Sequence, residues 1–185
     1  MFLLILGMII FFSAHLIPSF VDLRRTLAGW KGETIYLIGY SLVSALGLAL
    51  IGTGKATAAY VPIWEMPRWV NHLTMTAMLP AVIIFAAAYI PNNLRRFIRH
   101  PFLWGVTLWA LSHLLVNGDL GSLILFGGFA AFAIFDMWSA NRRGARNSDK
   151  KVPVYMDVLL ISVGLIAYGA ILYVHPYLFG VSASP

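Results

Sequence analysis

Cysteine is absent from this 185-residue chain. That excludes disulfides, iron–sulfur clusters and metal held by thiolates. Charge is nearly as scarce. Asp, Glu, Lys and Arg make up 11% of the residues, whereas a water-facing domain carries roughly 25%. So few charges cannot coat a soluble surface, so lipid must be the solvent for much of the chain. What fills the sequence instead is apolar: 60% of residues are hydrophobic.

A helix needs about 20 mainly apolar residues to cross the hydrocarbon core. Runs of that kind cover 1–21, 34–53, 70–90 and 153–174. The apolar stretch 101–138 is too long for one helix, and Asn117-Gly118-Asp119 reads as a tight turn that divides it into 101–116 and 120–138. The predicted fold class is all-α, an integral membrane bundle of about six transmembrane helices in a single domain spanning 1–185. No internal repeat is evident. The first run has neither a basic leading region nor a small-residue cleavage site, so it reads as a span and not as a signal peptide.

The net charge of +6 is unevenly placed. Eleven of the 13 basic residues fall in alternate loops: Arg24, Arg25 and Lys31, then Arg95, Arg96 and Arg99, then Arg142, Arg143, Arg146, Lys150 and Lys151. Lys55 and Arg68 stand alone in the second loop. The positive-inside rule puts the rich loops in the cytoplasm and both termini on the non-cytoplasmic side. These clusters are topology signals and contacts for anionic membrane lipid. They give no reason to expect nucleic acid as a partner. The loop 54–69 carries Tyr60, Trp64 and Trp69, aromatics suited to the membrane–water interface. Helical spans that carry no cleavable leader suit a multi-pass protein of a bacterial inner membrane.

Chemistry rests on five histidines, His15, His72, His100, His113 and His175. An ionisable side chain inside a span is costly and suggests function. His15 and His113 lie well within spans. His100 sits at the cytoplasmic mouth of the fourth span, and His72 and His175 lie near outer ends, where hydrogen-bonded anchors are ordinary. Along a helix rising about 1.5 Å per residue, His15 stands roughly 13 Å above Arg24 and His113 roughly 20 Å above Arg99. A gap of about 7 Å is within reach of tilt and kinks. Pro18 cannot donate to the Ala14 carbonyl, so the first helix should loosen beside His15. His100 and His113 are roughly 20 Å apart on one helix and cannot share an ion. Two neutral imidazoles without thiolates suit haem iron better than zinc or copper.

Other polar residues have plainer readings. Asp119 is placed to cap the fifth span. Asp136 can pair with a loop arginine, and Asp157 lies just inside the last span. Gly127-Gly128 admits close packing or a flat ligand. Arg95, Arg96 or Arg99 can meet propionates.

The Arg99-His100-Pro101 element, the run Leu108 to Asp119 (LWALSHLLVNGD) and the stretch Leu123 to Phe129 (LILFGGF) together resemble the NnrU family. Ser13-Ala14-His15 and Asn71-His72-Leu73 also fit, and the resemblance covers essentially the whole chain. The family is named for gene neighbourhoods in denitrification and nitric oxide metabolism, and it is similar to the plant 15-cis-zeta-carotene isomerase, which uses haem b. The resemblance implies haem b as cofactor, with His15 and His113 matching the iron ligands, while His100, His72 and Arg99 fall at further cofactor-binding positions. It departs from the isomerase at Ala110, where that relative has a cysteine.

Four functions follow as expectations. The first is a haem b membrane protein serving nitrogen-oxide or redox metabolism, with redox or denitrification proteins as partners. The second is a polyene cis–trans isomerase. The third is a membrane methyltransferase, which the RHP element permits but which lacks the later paired glutamate. The fourth is a transporter or an assembly factor with no catalytic role.

Overall fold

The computed structural model describes residues 1–181. Their regular structure is helical: α1 (Phe2–Leu16), α2 (Val21–Lys31), α3 (Glu33–Ala56), α4 (Val70–Ala86), α5 (Pro101–Val116), α6 (Leu120–Arg142) and α7 (Val154–Phe179). The all-α expectation holds among these residues. Among the described residues, four stretches are long and apolar enough to cross a membrane: Phe2–Ser19, Glu33–Ala56, Leu120–Arg142 and Val154–Phe179. α4 and α5 are apolar but shorter, at 17 and 16 residues. A 16-residue helix rises about 24 Å, less than the roughly 30 Å of a hydrocarbon core.

Lipid as solvent accounts for the outward rows of apolar side chains. On α3, Ile35, Ile38 and Leu42 are 54%, 55% and 67% exposed, at the three- and four-residue spacing of one helix face. Val158, Ile161, Leu165 and Ile166 form a similar exposed row on α7. Rows of this size are untenable in water and ordinary in hydrocarbon.

By internal contacts the chain falls into two compact units, 1–63 with 119–128, and 64–118 with 129–185. In the first, α1 packs along α3. Their backbones nearly touch: a side-chain carbon on Gly54 would lie 2.2 Å from the Leu4 nitrogen, and one on Gly7 would lie 2.6 Å from the Ile51 nitrogen. Only glycine allows that approach, which gives the backbones and the neighbouring Leu4, Met8 and Ile51 a dense seam. Gly128 does the same for Met8, whose Cε would lie 2.4 Å from an added carbon, so the close-packing reading of that glycine pair holds at Gly128.

The segment after α1 departs from expectation. Pro18 does interrupt the helix: α1 stops at Leu16, and a 3-10 turn, Ile17–Ser19, follows. The chain then forms α2, which had read as plain loop. Leu23, Leu27 and Trp30 lie on one face of α2 and are exposed, while Asp22 hydrogen-bonds Arg25 at 3.2 Å and Arg24 pairs with Glu33 of α3. An exposed apolar face beside cations is the pattern of a helix lying in a membrane interface.

In the second unit α4 packs against both α5 and α7. Gly105 of α5 approaches Phe85 of α4, and Gly164 of α7 approaches Ile83. Thr74 donates to the Ser112 carbonyl at 3.1 Å and the Tyr168 hydroxyl to the Met75 carbonyl at 2.9 Å, tying α4 to each neighbour. The turn after α4 is closed by buried Asn92, whose amide reaches the Ala87 and Ile90 carbonyls. Next to it, Asn93 binds Asp157 through both its backbone and its side chain, at 2.8 and 2.6 Å, and also the Val152 carbonyl and amide. That gives Asp157 a structural role at the entry to α7.

Candidate functional site

His15 is the penultimate residue of α1. Its Nδ1 donates to the Phe11 carbonyl at 2.8 Å. The ring lies against Phe11, with centroids 3.9 Å apart, and Tyr40 of α3 stands 5.2 Å away. Reckoning the depth of His15 along one helix from Arg24 fails, because the 3-10 turn and α2 intervene. α3 supplies a better ruler. Tyr40 is seven residues past Glu33, so His15 lies roughly 10 Å along α3 from its start.

His113 lies three residues before the end of α5. Its Nδ1 donates to the Trp109 carbonyl at 2.9 Å. The Trp109 ring stands 5.4 Å from it and is itself crossed edge-on by Phe129. α5 ends where Asn117 turns back, with its backbone and side-chain nitrogens both donating to the His113 carbonyl, at 3.0 and 2.8 Å.

The two histidines therefore share one local design. A carbonyl can only accept, so Nδ1 carries a proton in both rings; in a neutral imidazole Nε2 is then the lone-pair nitrogen. A metal-binding histidine is ordinarily oriented this way, with its second nitrogen donating to a backbone carbonyl.

The other expected residues lie apart from this pattern. His72 is exposed on the first turn of α4. His100 occupies the N-cap of α5, and its Nε2 donates to Asn141 Oδ1 at 2.8 Å. Pro101 follows at the first helical position, where its missing N–H costs nothing. Arg99 donates to the same Asn141 oxygen at 2.7 Å and to Asn147 at 3.0 Å. The RHP element is thus bound to the loop after α6. α5 is unbroken from Pro101 to Val116, so His100 stands roughly 20 Å from His113.

Asp119 is a cap, as expected. Its Oδ1 accepts from the Ser122 amide at 3.0 Å, the third amide of α6. It also pairs with Lys55 at 2.8 Å, and Ser122 bonds to both partners. Burial pushes the Asp119 carboxyl up, but hydrogen bonds from Lys55 and Ser122 and the Lys55 charge outweigh it and hold the carboxyl below the usual range. Asp136 meets Arg143 at 3.8 Å.

Sequence reasoning missed two features. Asn141 and Asn147 had carried no signal beyond lying among arginines. His175 had read as an anchor, yet its ring lies 6.4 Å from that of His113.

No curated protein and no solved structure matches the chain. A family model described as NnrU protein matches residues 3–183. With nearly the whole length covered, the chain belongs to the NnrU family.

Proposed function

We propose that this is a haem b-binding, multi-pass protein of a bacterial inner membrane, in which His15 and His113 are the residues that would hold the iron. What supports the reading is the design the two histidines share: each sits on an apolar helix with Nδ1 held by the carbonyl four residues earlier, at 2.8 and 2.9 Å. That bond fixes the tautomer in which Nε2 can bind iron, and it raises the basicity of the ring.

The donor set suits haem. Among the described residues, no three His, Cys, Asp or Glu side chains are grouped to hold a metal ion. A haem iron brings four ring nitrogens of its own and asks for only one or two histidines. When bound, the group supplies one-electron chemistry and affinity for small gases, in keeping with a role in nitrogen-oxide or redox metabolism alongside partner proteins. The chain's own part is to orient two imidazoles. Phe11 and Tyr40 beside His15, and Trp109 beside His113, flank the rings with aromatic surface.

The same reading takes the four long helices with α4 and α5 as six spans, α4 and α5 crossing with locally thinned lipid. Both termini are then on the non-cytoplasmic side, following the basic residues.

An absorption spectrum of the detergent-purified protein, oxidised and dithionite-reduced, tests the proposal. A Soret peak with sharp reduced α and β bands is expected. A featureless spectrum after expression with ample haem rejects it.

A further inference from the structure

The basic stretch 95–99 before α5 and the basic stretch 142–151 at the end of α6 hold eight of the chain's 13 Lys and Arg residues. Within the second unit the fold knits the two stretches into one surface. The Ser148 amide donates to the Arg95 carbonyl at 3.1 Å, and the Asn147 side chain to the Arg96 carbonyl at 2.8 Å. Beside them Asn93 and Val152 bond in both directions. All eight cations are exposed.

Their charge is poorly offset. Three carboxylates lie nearby in sequence. Asp136 meets Arg143 at 3.8 Å and Asp157 is held by Asn93, which leaves Asp149.

Arg99 is held in an unusual way. Its Nε donates to Asn147 Oδ1 at 3.0 Å and its Nη1 to Asn141 Oδ1 at 2.7 Å. Both acceptors are neutral, so the guanidinium is fixed in place while its charge is not cancelled. Among the described residues its Nη2 has no partner. An exposed guanidinium of this kind suits an anion with several oxygens, phosphate above all, because its fork is already ordered before the anion arrives.

Exposed aromatic rings point to the source of the phosphate. Phe97, between Arg96 and Arg99, is exposed, and so is Trp138, which carries the Arg142 guanidinium 4.9 Å over its ring. α6 and α7, which bound the second stretch, are long and apolar enough to cross a membrane. Rings and cations together at the ends of such helices match the headgroup layer, where rings enter lipid and cations meet phosphates. A soluble phosphate has no use for the rings.

We propose that the surface joining residues 95–99 to 141–151 is an anionic phospholipid headgroup site. Arg99 binds the phosphate, and Asn141 and Asn147 position Arg99. General attraction of cations to anionic lipid depends on charge alone; this site depends also on two uncharged side chains. It rests on the reading of the chain as a multi-pass membrane protein, and not on haem.

The test titrates the full chain in detergent with phosphatidylglycerol or phosphatidylethanolamine of the same acyl chains, read by native mass spectrometry. Wild type should bind phosphatidylglycerol about fivefold more tightly. Arg99→Lys, and Asn141→Ala combined with Asn147→Ala, keep every charge, yet each should lose most of that preference. Arg68→Gln, before the other end of α4, removes a charge and should keep the preference. The proposal is overturned if the charge-preserving variants match wild type, or if Arg68→Gln lowers the preference as much as Arg99→Lys does. If the asparagine variant loses its helical circular dichroism, Arg99→Lys decides alone. Displacement of the bound lipid by millimolar inorganic phosphate would assign the site to a soluble anion and reject the lipid. A chain that stays in solution without detergent would reject the membrane reading and this site with it. A detergent-dependent chain with no lipid preference rejects the site alone.

Discussion

Lys55 Nζ lies 2.8 Å from Asp119 Oδ1, joining the last turn of α3 to the N-cap of α6 across 64 residues of sequence. Asp119 is 9% exposed at its side chain and Lys55 32%, so the pair is partly shielded from water. Asp119→Ala removes a cap and leaves Lys55 without its carboxylate. The expected loss is on the order of 2 kcal/mol, read as a lower unfolding midpoint in detergent. An unchanged midpoint would show that the cap and pair contribute nothing.

The same pair sets a pH dependence. The Asp119 carboxyl is held below its ordinary value in the folded state. Its contribution is therefore complete above the unfolded value of about 3.9 and is lost as pH falls through the lower folded value. Wild type should lose more stability below about pH 4 than Asp119→Asn does. Parallel acid-unfolding curves for the two proteins would count against this origin.

The α1–α3 seam predicts intolerance at Gly54. An added carbon there meets the Leu4 backbone at 2.2 Å, and backbone cannot swing aside. Gly54→Val should cost about 1–3 kcal/mol or abolish expression. Gly39, which has nothing within 4 Å, is the control: Gly39→Val should be tolerated. Equal thermal stability of the two variants would contradict the packing described.

Asn141 holds Arg99 and His100 together through one oxygen. Asn141→Ala should loosen the basic loop at 142–151, at a cost of about 1 kcal/mol, and should speed its cleavage in limited proteolysis. The haem spectrum should not move, because His100 stands roughly 20 Å from His113. A spectral shift would tie the RHP element to the iron.

Topology can be read with thiol labels, because the chain has no cysteine of its own. Ala59→Cys should react with a membrane-impermeant maleimide in intact cells, and Asp149→Cys only after permeabilisation. The reverse pattern would invert the proposed orientation.

Much of this was legible in the sequence. Long apolar runs mark α1, α3, α6 and α7 because lipid tolerates little else over that length. The cap at Asp119 was legible because its partner, Ser122, is three residues away. α2 was not: its apolar face of Leu23, Leu27 and Trp30 interleaves with Arg24, Arg25 and Lys31 over only 11 residues, so it offers no span signal. The Lys55 pair was hidden by sequence distance. So was His175, since nothing local to HPY says that α7 carries it toward α5. His15 and His113 stood out because a histidine inside a span is costly, but their shared Nδ1 bonds needed coordinates.

Haem content per chain, measured as the pyridine haemochrome of wild type and His113→Ala purified side by side, tests the central claim most directly. The account predicts haem bound to wild type and lost from His113→Ala, with helical circular dichroism kept in both. Equal haem in the two proteins, or none in either, would contradict it.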